Sequence, residues 1–82
     1  MRKKLTVGDR VRVIALPPYG VDERIEVGDV GQIAEIRPLT AGIPQRPNPY
    51  PYGVKFEGED GETVWGFFGA RHLEVVASEE AK

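Results

Sequence analysis

The chain has no cysteine, one histidine, one tryptophan and no apolar stretch near the roughly 18 residues of a membrane span. Without cysteine there is no disulfide framework, no thiolate zinc or iron–sulfur site and no thiol nucleophile. His72, the sole histidine, has no carboxylate at ligand spacing, so metal binding or general-base work lacks partners and a structural role is the better reading. No Gly-x-Ser-x-Gly, phosphate-loop, dinucleotide or His-Glu-x-x-His spelling occurs, so the chain reads as non-enzymatic, with neither cofactor nor metal. A strong basic excess, the usual mark of phosphate-driven nucleic-acid binding, is missing too: 11 Lys and Arg face 13 Asp and Glu. The basic start Arg2-Lys3-Lys4 leads into Val7-Gly8-Asp9 rather than an apolar signal segment, which points to a soluble, cytoplasmic protein with no membrane role.

What is present is 82 residues, enough for one small domain, which at this size buries only about 60% of its unfolded surface. The 10 Gly and 7 Pro favour strands and tight turns over helices. Arg10 to Leu16 begins with strict alternation, Val11 and Val13 on one face and Arg10 and Arg12 on the other, and reads as a first strand. Val7-Gly8-Asp9 precedes it. The same tripeptide, Val27-Gly28-Asp29, precedes a second run, Val30 to Ile36, whose parity shifts as a bulge at Gly31 would make it. Between them, Pro17 to Glu26 is too long for a tight hairpin and predicts a folded-over surface loop.

Pro38, Pro44, Pro47, Pro49 and Pro51 rule out helix or central strand from 38 to 51 and predict a stiff, partly extended loop. Tyr52 to Glu57, a turn at Gly58-Glu59-Asp60-Gly61, and Thr63 to Phe68 form an antiparallel hairpin. Gly69 to His72 suits one helical turn, and Leu73 to Val76 a last strand. The domain is thus expected over residues 1–76, with a basic arm at 1–6 and a frayed tail at 77–82.

This order of five strands, two long loops, a tight hairpin and a helical turn before the last strand resembles the SH3-like barrels. Val7 to Val13 followed by Gly28-Asp29-Val30-Gly31-Gln32-Ile33 resembles the KOW motif of transcription and ribosomal proteins. Tyr50 to Phe56 leading to Phe68 through Val76 is similar to a second branch, the electron-transport accessory barrels. That branch holds the photosystem I peripheral subunit, the variable chain of ferredoxin–thioredoxin reductase and the nitrile hydratase β-subunit barrel. The resemblance implies an all-β, five-stranded SH3-like barrel with a long Pro-rich loop and one short 3-10 turn. It also implies an accessory role, docking on a protein partner or larger complex. No catalytic or cofactor residue carries over from it.

Two surfaces are candidates. In Val64 to Phe68, alternation separates Val64, Gly66 and Phe68 from Trp65 and Phe67; unless the strand kinks at Gly66, one set is exposed. An exposed Trp65 and Phe67, with Tyr19, Tyr50 and Tyr52, would line an aromatic groove for extended or Pro-rich peptides, or for unpaired bases. The alternative is a nucleic-acid or ribonucleoprotein contact through Lys3, Lys4, Arg10 and Arg12, in the segment 1–12 where five cations face one acid. Pro44-Gln45-Arg46-Pro47 spells PxxP and is either a ligand segment or a loop stiffener. Glu57, Glu59, Asp60 and Glu62 at the hairpin tip read as solvated turn charges.

Overall fold

The computed structural model describes residues 5–77. The strands are β1 (Arg10–Val13), β2 (Val30–Ile36), β3 (Tyr52–Glu57), β4 (Thr63–Phe68) and β5 (Leu73–Ala77), with a 3-10 turn at Ala70–His72 before β5. They form one antiparallel sheet in the order β4-β3-β2-β1-β5. Among the described residues no ladder joins β4 to β5, and no helix is long and apolar enough to cross a membrane.

The repeated tripeptides are two copies of one turn. Gly8 and Gly28 have φ of 100° and 102°, a region that costs glycine nothing. In each turn the aspartate carboxylate accepts the backbone N–H three residues back, Thr6 to Asp9 and Glu26 to Asp29, both at 3.0 Å. The two turns also extend the β1–β2 pairing symmetrically. Gly8 N–H donates to Ile33 O and Ile33 N–H to Asp9 O, while Gly28 N–H donates to Val13 O and Val13 N–H to Asp29 O. A short local signal, Val-Gly-Asp, thereby sets the register of the first strand pair at both ends.

Alternation decides the faces. Val11, Val13, Ile33, Val54, Phe56, Val64 and Phe68 point inward and meet Leu5, Ile25 and Leu73 in one core. The Phe56 and Phe68 rings meet edge to face, centroids 6.0 Å apart. The hairpin of β3 and β4 has the expected ends and pairs Tyr52 with Phe68 through Glu57 with Thr63.

Four expectations need correction. β1 stops at Val13: Ile14 N–H still donates in register to His72 O (2.8 Å), but the His72 N–H goes to Gly69 O and returns no bond, and Ile14 and Leu16 are exposed. The irregularity in β2 lies between Ile33 and Glu35, not at Gly31, which pairs in register with Val11. Gly31 is there for close approach: a Cβ would sit 2.7 Å from both Lys55 O and the Phe56 ring. Leu5, assigned to the basic arm, is in the core, and Ala77, assigned to the tail, ends β5. The rest of that tail, 78–82, lies outside the described residues. The first long loop does fold over: Gly20 O accepts from Phe67 N–H and Asp22 N–H reaches Trp65 O, so the loop lines the outer edge of β4.

Candidate docking surface

Three connections converge at one end of the sheet: the first loop with Tyr19, the entry to β3 with Pro49 and Tyr50, and the 3-10 turn with His72. The Tyr19 and Tyr50 rings stand edge to face, 5.3 Å apart and at 90°. Tyr50 in turn lies 5.8 Å from the His72 ring. Tyr19 is 66% exposed, Tyr50 half-buried and His72 5% exposed, so the cluster steps from solvent into the fold. Gly69 makes this approach possible, since a Cβ there would lie 2.8 Å from Pro49 O.

His72 is the fixed base of the cluster. Its Nδ1 accepts the Gly69 N–H at 2.9 Å, its own N–H returns to Gly69 O, and its carbonyl takes the Ile14 N–H. Burial, then the nearby Arg71 cation, hold the imidazole below its ordinary value, so it stays neutral. Tyr50 is oriented from the other side, where Asn48 Oδ1 accepts its N–H at 3.0 Å and Asn48 Nδ2 donates to Arg37 O at 2.9 Å.

The remaining aromatics do not join this cluster. β4 keeps strict alternation without a kink, so Trp65 and Phe67 share the outer face, Trp65 at 43% exposure and opposite Lys55. Phe67 packs over Gly53, its cross-strand partner, with the Arg37 guanidinium 5.5 Å above its ring and Arg37 paired to Glu35. Tyr52 packs against the core. The single groove expected from the sequence is therefore a Tyr19–Tyr50 pair based on His72, plus a separate outer face. Sequence reading missed His72 as a neighbour of the pair, and no local pattern signals it, because the turn that carries it is brought to Tyr50 by the fold.

On the basic strand face, Arg12 NH1 sits 2.5 Å from Glu74 Oε2 and is its cross-strand neighbour, so half of the expected cationic pair is neutralised. Arg10 is exposed without an ion pair among the described residues. Lys3 and Lys4 lie outside the described residues. At the opposite end a cleft of about 660 Å³ has Phe56 and Val64 among its lining residues, with Glu26, Glu57, Glu59, Asp60 and Glu62 around them. Arg24 bridges Glu62 and Asp22 there, and its hydrogen bonds hold Asp22 down to about 2. Among the described residues no group of His, Asp and Glu is placed to hold a metal ion.

Comparison of the chain with family models, curated proteins and solved structures finds no match.

Proposed function

We propose that the protein is an SH3-like barrel serving as a non-enzymatic accessory module in the cytoplasm, docking on a larger assembly through its aromatic surface. The strand order, the two long loops and the 3-10 turn before the last strand support the fold. The single observation that carries the role is the Tyr19–Tyr50 pair, exposed on one side and held by His72 on the other. Ring faces and edges that already sit in fixed places bind an extended, proline-containing segment at low entropic cost. The neutralised Arg12 is why this surface is preferred over a phosphate contact.

The test is an amide chemical-shift titration with a short proline-rich peptide. Shifts should concentrate at Tyr19, Tyr50 and Gly69, change little with salt, and vanish in Tyr19→Ala at unchanged melting temperature. Equal binding by Tyr19→Ala, or shifts centred on Arg10, would refute the reading.

A further inference from the structure

His72, the one histidine of the chain, is buried, and its Nδ1 accepts the Gly69 N–H at 2.9 Å. That bond is half of a clasp, closed by the His72 N–H on Gly69 O at 3.0 Å. An acceptor nitrogen carries no proton, so the ring is neutral with its hydrogen on Nε2. A proton on Nδ1 would set two N–H groups against each other across 2.9 Å, and either the ring or the Gly69 amide must then turn away.

Both ways out run into the aromatic cluster. The ring lies 5.8 Å from Tyr50, which in turn meets Tyr19 at 5.3 Å, so a ring that swings toward water leaves Tyr50 without its base. The Gly69 backbone packs so closely on Pro49 O that a Cβ would come within 2.8 Å, so an amide that turns presses on the residue before Tyr50. The surroundings offer an imidazolium no counter-charge. Arg71 on the same turn is a second cation, the entry to β3 and the first loop bring the Tyr50 and Tyr19 phenols, and the end of β1 brings only the Ile14 N–H, donated to His72 O. Glu74 of β5 is taken up by Arg12 of β1, and no ion pair joins His72 to a carboxylate among the described residues.

We propose that His72 is a proton switch beneath the docking surface: the neutral ring holds the Tyr19–Tyr50 pair in place, and a proton on Nδ1 opens the Gly69 clasp and takes the pair apart, so docking turns off in acid. This rests on the docking reading above and adds its regulation. The charge that changes lies at the base of the surface, so the partner need carry no complementary charge. A partner that binds only the clasped, neutral form loses affinity about tenfold for each pH unit below the His72 midpoint of the free protein. Burial, then Arg71, hold that midpoint below the ordinary imidazole value of 6.5.

The experiment is nuclear magnetic resonance on the free protein and on its mixture with the proline-rich peptide, from pH about 8 to about 5. In the free protein the Gly69 amide should titrate with the His72 ring, and the Overhauser contact between the Tyr19 and Tyr50 rings should be lost with the same midpoint. The amides of Val11 and Val54, fully buried in the core, should hold their positions and show the fold intact. Peptide affinity should be level above the midpoint and fall about tenfold per pH unit below it. In His72→Gln, whose side-chain oxygen can accept the Gly69 N–H and does not titrate, affinity should stay level with pH. Arg71→Ala changes an exposed side chain outside the clasp and keeps the test open should His72→Gln not fold; it should move every midpoint upward together. Three results would overturn the proposal: a Tyr19–Tyr50 contact that survives protonation of His72, peptide affinity level through the midpoint, or an Arg71→Ala protein in which the His72 midpoint moves and that of peptide affinity does not. The second would leave the docking reading standing. A peptide that binds at no pH, while the ring contact still opens with His72, would strike the docking reading and leave the proton-driven opening in place.

Discussion

Gly31→Ala tests the packing of the sheet most directly. The new Cβ would stand 2.7 Å from the Lys55 carbonyl oxygen and 2.7 and 2.8 Å from two carbons of the Phe56 ring, where carbon atoms ordinarily keep about 3.5–4.0 Å. Neither neighbour yields easily. Lys55 is the register partner of Gln32, so moving its carbonyl disturbs the β2–β3 ladder, and Phe56 is buried with its ring against Phe68. Overpacking of this kind costs about 1–3 kcal/mol, and a weakened ladder bond adds about 0.5–1.5 kcal/mol. At roughly 4–8 °C per kcal/mol for a domain of this size, the melting temperature should fall by about 6–36 °C. Gly42→Ala is the control, since a Cβ there meets nothing within 4 Å and the backbone is not left-handed. It should be neutral or stabilising by up to about 1 kcal/mol through the unfolded chain. Thermal unfolding followed by circular dichroism measures both, and equal melting temperatures for the two variants would refute the packing argument.

Two further outcomes follow from the site. His72 is held neutral by burial, so the unfolded state binds its proton more readily; stability should be full above pH 6.5 and decline as pH falls below that value toward the lowered folded one. A His72→Gln variant whose denaturant midpoint falls just as steeply over that range would remove His72 as the cause. Trp65→Ala should cost about 1 kcal/mol, against about 3–5 kcal/mol for fully buried Phe68→Ala, and iodide should quench Trp65 emission in the native protein. A blue-shifted emission protected from iodide would place Trp65 inside and overturn the alternation assigned to β4.

Local rules were enough wherever one residue type has one physical solution. Val-Gly-Asp, met twice, specified the same turn twice, because a left-handed glycine followed by a short carboxylate satisfies the backbone within four residues. Period-2 alternation placed Val11 and Val13 inside and Arg10 and Arg12 outside, and fixed both ends of the β3–β4 hairpin. The five strands and the helical turn before the last one were legible for that reason. Everything that depends on which distant segments meet was decided by the tertiary structure. Arg12 reads as a free cation until β5 brings Glu74 beside it, 62 residues away. Ile14 and Leu16 continue an apolar run that looks like strand, yet the ladder ends before them, where the 3-10 turn takes the His72 N–H for Gly69 O and leaves Ile14 without its return bond. The five aromatics share a composition and not a place. Tyr19 and Tyr50 meet because Gly69 lets the entry to β3 close on the 3-10 turn, Phe67 is claimed by Gly53 and Arg37, and Tyr52 by the core. Side-chain period is a property of neighbours along the chain, whereas a binding surface is a property of neighbours in space, and only the packing of three separate connections could supply that.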